Sequence, residues 1–477
     1  MNYKFSVPQG WNESQLQDYC LKVADGTHDS PKKTERGKLL VTSKNIIGGT
    51  LDLSKSYRIS EGDFNDVNRR SKVDKNDVLL SMIGTVGEVC LIESEPDFAI
   101  KNVGLLKNQD PLKAKWLFFY LTSPQAQAQI KERLRGTTQQ YLPLGEIRKF
   151  PIIYPKSRTE MQEIVGVLAA LQDKIQLNHQ INQTLEQMAQ AIFKSWFVDF
   201  EPVKAKIDVL EAGGSEEDVL LAAMQAISGK GGEELTRLQA EQPEQYAELR
   251  ATAELFPSAM QDSELGEIPE GWGVGAFKDL CLRVESGGTP KRSEPNYWGD
   301  DIKWLSSGEV RDVIAFETKE KITHSGLKNS SAKLWPIYTT VVAMYGATAG
   351  QVCLLADEMT SNQACCGLIP KEHHRSFMFI SARNSISSLA DKASGSAQQN
   401  LNKALVSNHI SLLPPDSILA LYESIALPLL DAWIQNSLQN KKLGEVRDAL
   451  LPKLLSGELC VSAVDDHLAT VAEAANV

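Results

Sequence analysis

"GTVGEVCL", residues 84–91, returns as "GATAGQVCL" at residues 346–354 with one residue inserted. Read once, it is a glycine-punctuated turn running into a short apolar strand. Read twice, it shows that the chain is doubled. Gly104 and Leu105 of "NVGLL" match Gly367 and Leu368 of "CCGLI", and "GTTQQYL" (136–142) returns as "GSAQQNL" (395–401). "VPQGW" (7–11) likewise returns as "IPEGW" (268–272). Every match keeps its order at an offset of about 260 residues, and self-similarity at one long period is the mark of an internal repeat.

Each copy closes on a helical pattern. In 159–197 the apolar positions Met161, Ile164, Leu168, Leu171, Ile175, Ile181, Leu185, Met188, Ile192 and Trp196 follow three-four spacing. Leu419, Tyr422, Ala426, Leu429, Trp433, Leu443, Val446, Leu450 and Leu454 repeat the stripe 258 residues later. Asn178 and Asn182 align with Asn436 and Asn440, so both stripes carry a polar layer. A polar residue in a helical seam costs stability and fixes register, which predicts that the two helices pack on each other. Each would be roughly 60 Å long at 1.5 Å per residue, longer than one globular domain needs.

Between these patterns the periodicity is short and strand-like, as in "DVLLSMIG", "EVCLI", "VVAMYG" and "QVCLL". The predicted class is α+β with a pseudo-twofold internal repeat: two strand-rich α/β domains separated by two long antiparallel, coiled-coil-like helices. The expected boundaries are 1–156, a first helix 157–200, an acidic helical linker 201–267, 268–415, a second helix 416–459, and a tail 460–477.

A chain of 477 residues exceeds one ordinary domain. No run approaches the 18 apolar residues of a membrane span, and "MNYKFSVPQGW" lacks a signal-peptide core, which predicts a cytoplasmic protein without membrane contact. Seven scattered cysteines without a Cys-x-x-Cys pair read as reduced thiols. The net charge of −11 argues against nucleic acid until it is divided along the chain. Lys+Arg against Asp+Glu is 23 to 18 in residues 1–156 and 15 to 14 in 268–415, but 5 to 15 in 201–267. The acidity therefore belongs to linker and helices, while the two domains are neutral to basic.

Catalytic motifs are missing where they were sought. "SGKGG" (228–232) lacks the upstream glycine and following Ser/Thr of a P-loop, and "GWGVG" (271–275) has no strand before it. "LPPDS" (413–417) lacks the flanks of an amino-methyltransferase motif, and "PDFAIK" (96–101) has Ala99 where a nuclease needs an acid. His373 and His374 have no spaced metal-binding partner. The pattern is that of a binding protein.

"AIFKSWFVDFEPVKAK" (191–206), "SELGEIPEGW" (263–272) and "LLPKLLSGEL" (450–459), with "GGTPKR" (287–292) and "IKWLSSGEV" (302–310), closely resemble the DNA-specificity subunits of Type I restriction–modification systems. The resemblance spans nearly the whole chain. It implies that 1–156 and 268–415 are target-recognition domains, each reading half of a split sequence in double-stranded DNA. It also implies that adenine methylation and cleavage reside in two modification (methyltransferase) subunits and in restriction subunits. S-adenosylmethionine, ATP and Mg are then expected in those partners, and no cofactor or metal in this chain. The stretch 207–255 is longer than the family pattern leads one to expect. A two-armed protein adaptor without DNA, or a specificity subunit of a related multisubunit methyltransferase or nuclease, is the competing reading.

Base reading requires side chains that offer donors and acceptors from loops on a rigid scaffold. In the first half the candidates are Lys32, Lys33, Arg36 and Lys38, then Arg69, Arg70 and Lys72, then Thr85. In the second they are Thr289, Lys291, Arg292 and Thr348. Gln139 and Gln140, with Gln398 and Gln399, recur between the halves. Recurrence in domains that read different sequences favours a scaffold or backbone role for them over adenine pairing.

Overall fold

The computed structural model describes residues 7–54, 56–137, 139–394, 400–459 and 461. The chain divides into two compact units, one of residues 1–177 with 440–477, the other of residues 178–439. Each unit therefore holds one strand-rich domain with a part of both long helices.

The duplication is visible strand by strand. In the first unit a four-stranded antiparallel sheet has the order Lys22–Asp25, Val103–Lys107, Val78–Ser81, Val89–Leu91. In the second the order is Cys281–Ser286, Cys365–Pro370, Thr340–Ala343, Val352–Leu355, with Ile314–Ala315 added in parallel at the edge. A three-stranded sheet lies beside each: Tyr57–Ile59, Lys38–Val41, Phe98–Ile100 in one, and Glu320–Ile322, Trp298–Leu305, Thr360–Ser361 in the other. In both, the central strand pairs antiparallel to one neighbour and parallel to the other. The central strands Val78–Ser81 and Thr340–Ala343 are buried along their whole length, which explains their unbroken apolar or β-branched sequence. Between them and the next strand runs the quoted turn. Gly84 and Gly346 have φ of +83° and +72°, and Gly87 and Gly350 +100° and +86°, backbone that a Cβ would strain.

The long helices are Arg158–Phe197 and Asp416–Leu455. Within the first unit Arg447 Nη1 donates to Gln172 Oε1 at 2.7 Å and Asn440 Nδ2 to the Ile175 carbonyl at 3.3 Å. Within the second, Asn178 Nδ2 donates to Gln439 Oε1 at 2.7 Å, and Asn436 Nδ2 to Asn182 Oδ1 at 3.0 Å. Tyr422 donates to the Ala189 carbonyl. Residue numbers rise on one helix as they fall on the other, so in each unit the pair is antiparallel. The sequence stripe needs one correction. Ile181 and Met188 are exposed, at 37% and 48%, while Asn182 and Ala189 beside them are buried. Around the half-buried Leu185, which the stripe did place, the buried positions are Asn178, Asn182 and Ala189, the last two one residue after Ile181 and Met188, because the polar layer is itself in the seam.

The large aromatic residues of the 191–206 and 263–272 motifs are core. Phe193, Trp196, Phe197 and Phe200 pack with Phe256, Trp272, Phe377 and Tyr422, with Phe197 and Tyr422 edge to face at 5.1 Å. In the first unit Trp11 stacks on Trp116 at 5.4 Å, over a core that includes Leu168 and Leu454 of the helices. One 18-residue window of Asp416–Leu455 reaches a mean hydropathy of 1.4, the level of a membrane span, which the sequence reading had missed. Its apolar residues Leu419, Tyr422, Ala426, Leu430 and Trp433 belong to the core of the second unit, with Phe193 and Phe197.

Residues 201–254 form the helices Glu201–Glu211, Glu216–Ser228, Gly232–Glu241 and Pro243–Glu254. Ser215 caps the second through a reciprocal bond with Asp218, and Gly229 ends it with φ +67°. This is more than a solvated acidic run: Ala223, Met224, Leu235 and Ala253 are buried together as a small core of its own.

Candidate nucleic-acid interface

In the first domain the strand Lys22–Asp25 runs out into the loop 26–37. Gly26 passes so close to the neighbouring strand that a Cβ would lie 2.4 Å from the Ile100 carbonyl oxygen. Thr27 N donates to that same carbonyl at 3.0 Å, which pins the start of the loop. Its far end is held by Thr34 N on the Arg58 carbonyl and by Arg58 Nη1 on the Gly37 carbonyl, at 2.9 and 2.7 Å. Between the anchors Lys32, Lys33 and Arg36 are exposed, and no described residue forms an ion pair with any of them. These three cations, without ion-pair partners among the described residues, outnumber the exposed Asp29 and Glu35 of the same loop and leave it a small positive excess that an acidic net charge conceals.

The other first-half candidates are more engaged. Lys38 lies 2.8 Å from Asp97, and Lys72 lies 2.7 Å from Asp74. Each hydrogen bond raises the lysine pKa above its ordinary value. Arg69 is 3.5 Å from Asp66 and largely exposed. Arg70, in the last turn of the helix Glu61–Ser71, is paired with Asp25. Thr85 is exposed at the turn, and its carbonyl accepts from Ser81 Oγ at 2.5 Å.

The second domain builds the same platform with other side chains. Gly287 and Gly288 lead the loop away from the strand Cys281–Ser286, and Gly288 N donates to the Ser361 carbonyl at 2.8 Å. Thr289 is half-buried and bonds Gln363, much as His28 meets Asn102 in the first domain. Lys291 is exposed. Arg292 is not free: its guanidinium sits 3.7 Å from the Trp298 ring centre and bonds both carboxylate oxygens of Glu320. That pairing raises the Arg292 pKa and lowers that of Glu320. Trp298 stacks edge-on against Trp304 at 5.1 Å, so this aromatic is part of the arginine's seat.

Thr348 drops out of the candidates. It is buried at 5% exposure, and its hydroxyl donates to the Tyr345 carbonyl across the turn. Gln139 and Gln140 are exposed, and no described residue hydrogen-bonds either side chain. What recurs is the backbone bond that anchors their loop: Leu142 N donates to the Met82 carbonyl at 2.9 Å, and Leu401 N to the Met344 carbonyl at 2.8 Å. Gln398 and Gln399 lie outside the described residues. Among the described residues no group of three or more His, Cys, Asp or Glu is placed to hold a metal ion.

Three residues of this surface escaped the sequence reading: Asp25, His28 and Asn102. The sequence marked the strand that carries the first but not the acid itself, since a bulge between Cys281 and Arg283 shifts the register by one residue. "DYCLKV" (18–23) and "DLCLRV" (279–284) mark the same strand in both halves. Asp25 and Glu285 then stand opposite Gly104 and Gly367, which the repeat also matches.

The comparisons with known proteins agree with this duplicated design. The family model described as "Type I restriction modification DNA specificity domain" matches residues 8–187 and again 269–418. The HindI specificity subunit of a Type I restriction enzyme from Haemophilus influenzae is 34% identical over 82% of this chain and 88% of its own. The MjaIX specificity subunit from Methanocaldococcus jannaschii is 23% identical over 95% of each. A crystal structure of a Type I restriction–modification S subunit from M. genitalium superposes with a TM-score of 0.52 at 12% identity, covering 95% of this chain and 98% of that one.

Proposed function

This chain belongs to the family of Type I restriction–modification specificity subunits, and from that premise we propose that each of its two domains reads one half of a bipartite duplex DNA target. The chain is non-catalytic. The observation that carries the reading is the pinned loop that leaves the same strand in both domains and carries exposed Lys and Arg side chains, three unpaired in the first domain and Lys291 with the Glu320-paired Arg292 in the second. A shared scaffold holds the loop against DNA, and the differing side chains let the halves prefer different bases. The exposed cations contact phosphate and supply attraction without sequence information.

Two modification subunits and the restriction subunits dock on this chain and carry the chemistry, with S-adenosylmethionine, ATP and Mg bound in them, in the cytoplasm. Exposed Ile181 and Met188 on the outer face of the first long helix support docking, since apolar side chains on an otherwise polar helix favour a covering partner. The internal repeat lets one chain present two similar faces to two copies of a partner. The test is sequencing of methylated sites in cells that express the complete system. A bipartite motif is expected, and exchange of residues 12–156 for the same domain of a relative changes one half only. Alteration of both halves together would overturn the two-reader assignment.

A further inference from the structure

The polar side chains at the base of the first loop form a chain of four. Asn102 Oδ1 lies 2.9 Å from His28 Nδ1, and His28 Nε2 lies 2.9 Å from Asp25 Oδ2. The other oxygen of Asp25 takes Nη2 of Arg70. Asp25 is 4% exposed, whereas the side chains of His28 and Arg70 are 62% and 59% exposed. A buried carboxylate thus grips two half-open side chains from below. Lys22 Nζ, on the same strand, donates to the Arg70 carbonyl at 2.9 Å and ties down the end of its helix.

An arginine meant only for phosphate needs no such seat. Paired with Asp25 it contributes almost no net charge, and the unpaired Lys32, Lys33 and Arg36 already serve attraction. What the pair adds is direction. The bond from Nη2 to Asp25 tethers one end of the guanidinium, and Nε and Nη1, which have no partner among the described residues, remain to offer the two-donor edge that fits the two major-groove acceptors of guanine. The second domain seats a different arginine in a different place, Arg292 on Glu320 and Trp298. Its carboxylate at the matching register, Glu285, takes Arg283 from its own strand at 3.2 Å and the Trp335 indole.

We propose that Arg70, oriented by Asp25 and flanked by His28, is a base-reading residue of the first domain and that it selects guanine at one position of its half-site. The inference rests on the DNA-reading function proposed above. It is tested by sequencing methylated sites in cells carrying the complete system with the wild-type chain, Arg70→Lys, Arg70→Ala or Asp25→Asn. Lysine keeps the charge and loses the fork. The expected result is that Arg70→Lys and Arg70→Ala methylate a motif relaxed at one guanine of the first half, with preference there reduced roughly 10- to 100-fold and all other positions kept. Asp25→Asn relaxes the same position to a smaller extent. An unchanged motif in Arg70→Ala overturns the inference, as does recovery of the full motif by Arg70→Lys, which is phosphate behaviour. Loss of all methylation in both Arg70 variants overturns it too. Absence of any bipartite motif with the wild-type chain is a different result, and it rejects the DNA-reading function itself.

Discussion

Replacing Lys32, Lys33 and Arg36 together by alanine should flatten the salt dependence of DNA binding without altering the sequence preferred. The three side chains are exposed, lie on one pinned loop, and have no ion-pair partner among the described residues. Each phosphate contact contributes a slope of about −0.9 in log affinity against log salt, so loss of three contacts makes the slope shallower by about 2.7. Over a fourfold rise in salt that amounts to about 40-fold less loss of affinity than the wild-type chain suffers. The assay is a titration of labelled duplex by the assembled complex at several salt concentrations. Removing the ion pair Lys38–Asp97 in Lys38→Ala/Asp97→Ala serves as control, because a neutral pair should leave the slope where it was. A triple variant whose slope matches the wild type refutes the phosphate role of the loop. One whose preferred bases change refutes the division of labour between free and seated cations.

The polar layer between the helices can be tested by a double-mutant cycle: Asn182→Ala leaves the Asn436 amide without its acceptor, at a cost of about 1–3 kcal/mol. Coupling between Asn182→Ala and Asn436→Ala should reach at least about 0.5 kcal/mol by calorimetry, and additive effects would show that the bond is not made. Gly287→Ala would set a methyl group 2.2 Å from the Asn362 carbonyl oxygen, while Gly308→Ala meets nothing nearer than 4.0 Å. The first should lower stability by about 1–3 kcal/mol and weaken the second half-site, the second should do neither, and equal melting temperatures would contradict the close approach. Burial pushes the thiols of Cys20, Cys90, Cys281 and Cys366 up to about 12. The thiolate is the reactive form, so at pH 8 these residues should resist alkylation until the chain is unfolded, and rapid labelling of Cys281 in the native protein would show its site to be open.

Much of the architecture was legible because repeats and periodicity are local and cumulative. "GTVGEVCL" and its copy locate equivalent turns without any knowledge of what they touch, and the positive φ of Gly84 and Gly346 shows why glycine stands there. The three-four stripes found both long helices, since amphipathic spacing sums over many turns. The stripe erred by one residue at Ile181 because apolarity was taken as the sign of burial, and the seam at that level is built from Asn178 and Asn182 instead. Which cations are free was undecidable from the chain. Lys291 and Arg292 are neighbours of the same charge, yet Arg292 is spent on Glu320 and Trp298 while Lys291 stands in solvent. Arg70 looked like one more member of "NRRSK" until folding brought it to Asp25, 45 residues away, and brought His28 to Asn102, 74 residues away. Sequence alone determined that there are two similar domains and two long helices. Tertiary structure decided which cations stand free in solvent and which are held by a carboxylate, because the reach of a charge depends on the carboxylate beside it, and that neighbour arrives only when distant strands and loops pack together.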